Sequence, residues 1–180
     1  ANNMVGEKNT VFSSVRYGNV IGSRGSVIPL FLEQKKQKYF TITDTRMTRF
    51  VLTLNEGVEI VLWTLLNSIG SEIVIPKIPS VNITDIANAI DPSIKIKKIG
   101  IRLGEKLHED LITEAESINI LGLMDKFIML PSIEKKYVEH YRKFSKKITK
   151  LDKFSYSSNT NSHFLNIQQI KRILKQEKFI

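Results

Sequence analysis

Apolar residues in the stretch TLNEGVEIVLWTLLNS recur at positions 58, 61, 62, 65, 66 and 69, the spacing of one helical face, behind Thr53 and Glu56 set as a capping box. No other stretch marks a helix as well. Upstream, the short β-branched and aromatic run Thr10 to Val20 predicts a buried strand that glycines then break. Val27 to Lys38 follows as a helix on Val27, Ile28, Leu30, Phe31 and Leu32, with Pro29 in its first turn, where a missing N–H costs nothing. Tyr39 to Asp44 and Ser71 to Lys77 predict strands, the second stopped by Pro76 and Pro79. Thr84 is placed to cap a short helix over DIANAI, Ile94 to Ile101 alternates as a half-buried strand, and a helix is expected after Gly104 in GEKLHEDLITEAES. Lys126 to Pro131 predicts a late strand, and after the polar turn YSSNTNSHF a last helix rests on Ile167, Ile170, Ile173 and Leu174. Strands alternating with helices predict an α/β fold.

Length and composition narrow the class without naming a function. A chain of 180 residues has about the size of one domain and buries roughly 70% of its unfolded surface. No apolar run reaches bilayer-spanning length, and the first residues lack a signal-peptide pattern, so a soluble, cytoplasmic protein is expected. With no cysteine there can be no disulfide, thiolate nucleophile or Cys-ligated zinc. The formal charge of +9 is concentrated late: positions 131 to 180 hold twelve Lys and Arg against four Asp and Glu. These bases are spread round their segment without a stripe of stacking aromatics, which favours a solvated face over a nucleic-acid groove. The opening ANNMV is expected to be the frayed end of a helix, and the chain a fragment.

Three stretches carry candidate chemistry. In VRYGNVIGSRGS, Gly18, Gly22 and Gly25 follow a strand and precede a helix, but they lack the G-x-G-x-x-G spacing and no acidic residue ends a second strand about twenty residues on. A self-contained dinucleotide site is therefore not expected here, although glycines allow close backbone approach to a ligand and the Val27 helix start favours negative charge. In DTRMTRF, Arg46 and Arg49 are spaced as an anion clamp, because guanidinium groups pair bidentately with phosphate oxygens; ordinary surface arginines are the competing explanation. In GIRLGEKLHE, Arg102 could meet a phosphate while Glu105, at the positive end of a helix, accepts sugar hydroxyls; an Arg–Glu pair that merely fixes the turn explains the pattern equally well. His108, His140 and His163 have no metal-site spacing, and His108 is expected on a helix surface.

Taken in order, RYGNVIGSRGSVIP, ITDTRMTRF, TLNEGVEIV, EIVIPKIPSVNITDIANAI, IGIRLGEKLHE and YSSNTNSHFL resemble the C-terminal half of inverting UDP-N-acetylglucosamine 4,6-dehydratases, which are extended short-chain dehydrogenase/reductases. The likeness runs from about Val11 to Leu174 and is nearest to the type that begins pseudaminic acid synthesis for bacterial surface glycans. It implies the C-terminal part of a Rossmann-like extended fold plus a small α/β substrate lobe. Residues 1–26 would be the last part of the Rossmann lobe, 27–131 the UDP-sugar lobe with returning strands, and 132–180 a basic helical extension. It further implies an NADP-dependent hydro-lyase, homo-oligomeric when intact. Such an enzyme oxidises C4 of the hexose, eliminates water across C5 and C6, returns the hydride to C6 and inverts C5. By resemblance Val20 lines the nicotinamide, and Asn19, Ile28, Thr43, Arg49, Arg102 and Glu105 contact the UDP-sugar; Leu103 replaces the proline common in the RxGE motif. The glycine-rich cofactor loop, the Asp-Lys pair and the Tyr-x-x-x-Lys motif find no match in these residues, so no catalytic residue is expected in this chain, most NADP contacts lie outside it, and it should be inactive alone. A UDP-sugar epimerase or retaining dehydratase would show the same clamp, and a non-catalytic basic nucleic-acid-binding module is the alternative of a different class.

Overall fold

In chain order the computed structural model, which describes residues 10–145 and 147–180, runs β1 (Ser14–Val15), β2 (Asn19–Val20), α1 (Val27–Lys35), β3 (Tyr39–Ile42), β4 (Thr48–Leu52), α2 (Leu54–Asn67), β5 (Ile73–Pro76), β6 (Ser80–Asn82) and α3 (Ile83–Ile90). It continues with β7 (Lys95–Lys98), β8 (Asp110–Ile112), a 3-10 turn (Glu114–Asn119), β9 (Ile120–Gly122), β10 (Lys126–Met129), α4 (Lys135–Tyr141), β11 (Thr149–Leu151), β12 (Tyr156–Ser157) and α5 (Ile167–Gln176). The fold is α/β, as the alternating pattern predicts. The ANNMV stretch lies outside the described residues. The chain forms two compact units, each gathered from three segments.

The first unit takes the segment ending at Tyr17, Asn55–Lys77 and Asp110–Tyr156. Its sheet has the order β1-β5-β10-β9-β11, with β1 parallel to β5 and the other pairs antiparallel. Val74, Leu121, Ile128, Ile60, Tyr137 and Tyr141 form its core. Arg16 binds the 3-10 turn: its guanidinium meets Glu116 at 2.9 and 3.1 Å and donates to the Leu111 carbonyl at 3.0 Å. A buried carboxylate, Glu72, accepts from Ile69 N and Gly70 N at 2.7 Å and from the Tyr141 hydroxyl at 2.9 Å. Burial and this neighbouring carboxylate push the Tyr141 hydroxyl up from its ordinary pKa.

Helix α2 forms where its periodicity predicts, yet the buried positions are Gly57, Ile60 and Thr64. The stripe at 58, 61, 62, 65, 66 and 69 faces outward, with Leu65 and Leu66 at 75% and 79% exposure. An apolar surface of this kind is unusual on a monomer.

The second unit takes Gly18–Leu54, Ile78–Glu109 and Ser157–Ile180. One sheet has the order β2-β4-β6, parallel then antiparallel; a second pairs β3 with β7 in parallel, Tyr39 opposite Lys95. Phe31 of α1 meets Phe40 of β3 with ring centroids 5.0 Å apart, and Val81, Ile86, Ala87, Ile170 and Leu174 complete the core around α3 and α5. Helix α5 begins with a reciprocal cap, Asn166 and Gln169 bonding each other's backbone N–H at 2.9 Å.

Four local expectations change. The Thr10 to Val20 run is two short strands, because Ser14–Val15 pairs with β5 in one sheet and Asn19–Val20 with β4 in another. Asn82, not Thr84, occupies the N-cap of α3. The basic stretch from 132 onward holds strands β11 and β12 as well as two helices. The α-helix expected over GEKLHEDLITEAES does not form; that span holds β8 and the start of the 3-10 turn, and carbonyls of Lys106 and Leu107 accept from the Arg49 guanidinium, with Leu107 O also accepting from Thr48 N, so long-range partners take what an i to i+4 ladder would use.

Glu116 is held at a pKa of about 2, below its usual 4.5, chiefly by hydrogen bonding to Arg16. A depressed carboxylate contributes stability that is complete above its ordinary pKa and lost as pH falls through the folded value. Thermal unfolding between pH 5 and pH 2 should therefore show a smaller acid-induced loss for Glu116→Gln than for the unsubstituted chain. Separately, Leu65→Gln with Leu66→Gln should raise the solubility limit and lower binding of a hydrophobic dye without lowering the melting temperature, since both side chains already face water.

Candidate functional site

Within the second unit a cavity of about 260 Å3 opens between β2, the start of α1, the end of β3, strand β4, α3 and the 99–105 loop. Asn19, Val20, Ile28, Thr43, Arg49, Arg102 and Glu105 all line it. Residues that the sequence did not single out join them: Ser26, Thr41, Met47, Ile83, Ile86 and Ile99. Ser26 was legible in principle, since it stands immediately before the first helical residue; its buried hydroxyl has no hydrogen-bond partner among the described residues. The isoleucines come from α3 and the loop after β7, and only tertiary packing brings them here.

Strand pairing aims the entrance residues. Asn19 lies opposite Val51 and Val20 opposite Leu52, with Ile21 N bonding Leu52 O at 2.9 Å. The glycines of the same loop serve packing. A Cβ on Gly18 would fall 2.4 Å from Phe50 Cβ, and one on Gly22 would strike the Phe179 ring at 1.8 Å. Their close approach is thus to phenylalanines, while Gly25 of the same loop faces open space.

The two arginines of DTRMTRF have separate employment. Arg46 forms a bidentate pair with the buried Asp44, both contacts 3.0 Å, and Lys98 adds a third at 3.0 Å. Those donors hold the Asp44 carboxyl well below the usual carboxylate range, the Arg46 side chain foremost. Arg49 lines the cavity wall and donates to Thr48 O at 2.7 Å, Leu107 O at 3.0 Å and Lys106 O at 2.8 Å, with Glu109 at 3.5 Å. Arg46 and Arg49 therefore do not make a two-arginine clamp.

Glu105 closes its turn through backbone and not through the Arg102 side chain. Its carboxylate accepts from Arg102 N at 3.2 Å and from the Thr43 hydroxyl at 3.0 Å, while Glu105 N bonds Arg102 O at 3.1 Å across Gly104 at φ +81°. With no helix behind it, Glu105 gains nothing from a helix dipole. The exposed Arg102 guanidinium has no hydrogen-bond or ion-pair partner among the described residues. His108 is not on a helix either; its Nδ1 lies 2.8 Å from the Thr48 hydroxyl. Among the described residues no His, Cys, Asp and Glu cluster suits a metal ion, and no helix is long and apolar enough to cross a membrane.

The chemistry on offer is anion binding at one wall, set by Arg49 and the free Arg102, beside an apolar pocket edged by hydroxyls and Asn19. Residues 1–131 match the profile of a family described as polysaccharide biosynthesis protein. The chain is 44% identical, over 97% of its length and 54% of the other's, to UDP-N-acetylglucosamine 4,6-dehydratase (inverting) of Campylobacter jejuni. It is 36% identical to UDP-glucose 4-epimerase of Rickettsia conorii, over 92% of this chain and 49% of that one. The X-ray structure of Pen from Bacillus thuringiensis superposes with a TM-score of 0.83 at 31% identity, over 97% of this chain and 53% of Pen. The chain thus spans about half the length of the curated relatives it matches.

Gly18→Ala should destabilise the second unit, because the added methyl has nowhere to go against the Phe50 backbone. Overpacking of this kind costs about 1–3 kcal/mol, so the melting temperature should drop by several degrees. Gly25→Ala meets no atom within 4 Å, and only its positive φ of 74° opposes it; a smaller drop is expected there.

Proposed function

Because this chain belongs to the polysaccharide biosynthesis protein family, we propose that it supplies the substrate-binding part of a nucleotide-sugar dehydratase acting on UDP-N-acetylglucosamine. The product is a UDP-4-keto-6-deoxy sugar inverted at C5, made in the cytoplasm by a homo-oligomer for surface glycans of the pseudaminic acid type. The observation that carries this is convergence: seven residues from Asn19 to Glu105, contributed by separate segments of the chain, line one cavity with a guanidinium, that of Arg102, which has no partner among the described residues.

In this assignment Arg102 grips the diphosphate directly, since its donors are free. Arg49 adds positive potential to the wall while its N–H groups hold protein carbonyls. Thr43 and Glu105, already bonded to each other, present oxygens to the nucleoside, Ile28 packs against it, and Asn19 reaches the sugar beside the diphosphate. NADP would supply and recover the hydride. Val20 is its one contact assigned in this chain. In this assignment these residues bind and orient substrate, and the hydride and proton steps fall to groups outside them. The resemblance to UDP-glucose 4-epimerases supports a second assignment, in which the same UDP clamp serves C4 epimerisation.

Titration with UDP tests the clamp. The chain should bind UDP, and Arg102→Ala should weaken binding by about tenfold or more, the worth of a charge-assisted hydrogen bond of about 1.5–3 kcal/mol. With NADP and UDP-N-acetylglucosamine the chain alone should give no 4-keto-6-deoxy product. Absence of UDP binding would overturn the substrate role, and product formation would overturn the assignment of chemistry to other groups. For an intact enzyme carrying this sequence, deuterium from solvent at C5 of the product separates inverting dehydration from C4 epimerisation.

A further inference from the structure

The motif YSSNTNSHF takes no part in the cavity, yet its second serine is fully buried and tied to the cavity wall. Ser158 Oγ accepts from Glu109 N at 2.9 Å, lies 2.7 Å from Thr48 Oγ1 and donates to Thr48 O at 3.2 Å. Ser158 N bonds Glu109 O at 2.8 Å. Thr48 Oγ1 also reaches His108 Nδ1 at 2.8 Å, so three hydroxyl and imidazole groups form one chain across β4 and the 106–109 segment. Asn161 anchors the motif itself, donating to Ile78 O and Ser80 Oγ at 3.0 Å.

These bonds meet Arg49 from behind. The guanidinium takes Thr48 O, Leu107 O and Lys106 O and approaches Glu109, while Ser158 and Thr48 hold the backbone on either side of those acceptors. Without the clasp, Glu109 N–H and the Thr48 hydroxyl lose a buried partner, and the carbonyls that orient Arg49 lose their own support. Segment 106–109 continues directly from Glu105, whose carboxylate closes the Arg102 turn.

The geometry points to Ser158 as a positioning residue for the anion-binding wall, acting through Thr48, His108 and Glu109 on Arg49 and on the Arg102–Glu105 turn. This rests on the proposed UDP-binding role of the cavity. Ser158 touches no ligand; it fixes the register of the donors that do.

The test is UDP titration of the full chain at a temperature well below unfolding, with the Arg49 side-chain N–H followed by 1H–15N NMR. Ser158→Ala should weaken UDP binding by roughly fivefold to tenfold, as loss of a net hydrogen bond or two implies, and should broaden the Arg49 Nε–H signal. The Arg16 signal, fixed by Glu116 in the other unit, should stay unchanged. Thr48→Val should act in the same direction and Thr48→Ser, which keeps the hydroxyl, should restore affinity; this pair decides the matter if Ser158→Ala does not fold. Unchanged UDP affinity and an unchanged Arg49 signal in folded Ser158→Ala or Thr48→Val overturn the positioning role while leaving the substrate assignment intact. A chain that binds no UDP before substitution overturns both.

Discussion

The second unit depends on how one guanidinium is satisfied. Arg49 sits on β4 with its side chain only 14% exposed, and a group with five N–H donors cannot be left there unpaired. It meets carbonyls of residues 48, 106 and 107 and the Glu109 carboxylate. Because those carbonyls are engaged from outside, the segment after Gly104 cannot wind into a helix, and it stays an irregular wall along the cavity. The placement of Glu105 against Thr43, and of Arg102 at the open edge, follows from that wall.

Local pattern reads well wherever an element satisfies itself. Helix α5 carries its own capping box and apolar spacing, and α1 and β3 follow their periodicity to within a few residues. It reads poorly where the deciding partner is remote. GEKLHEDLITEAES has helical spacing, but the competitor is a side chain over fifty positions upstream. Gly18 and Gly22 look like a ligand-cradling loop until Phe50 and Phe179 are in place, and nothing near the loop announces either. The cavity lining was legible as a set only because six motifs in order resemble a family. The bearing of Ser158 on it was not, since a serine in a polar turn carries no signal of the strand it will meet.

Helix α2 shows a different limit. Its apolar periodicity is real, but periodicity reports which face is apolar and not which face this chain covers. The covered face is made of Gly57, Ile60 and Thr64, with the Thr64 hydroxyl turned back onto the Ile60 carbonyl at 2.7 Å. Small and self-bonded side chains let the helix lie close to the unit's core, and the larger leucines are left outside. In the same unit the sheet is mixed, with β1–β5 its parallel pair and the remaining pairs antiparallel.

Charge is the last constraint that ties sequence to site. A net +9 says little about function by itself, because most arginines near the motifs are committed elsewhere: Arg16 to Glu116, Arg46 to Asp44, Arg49 to backbone carbonyls. What the cavity presents to an anion is therefore selective rather than diffuse. Arg102 extends from a turn whose backbone is closed by Glu105, with its side chain exposed beyond that turn. In the proposed assignment a cation so placed engages a diphosphate without first breaking a protein bond, whereas Arg49 would have to release carbonyls to do the same. The wall therefore sets one arginine committed to backbone carbonyls beside one whose guanidinium has no partner among the described residues.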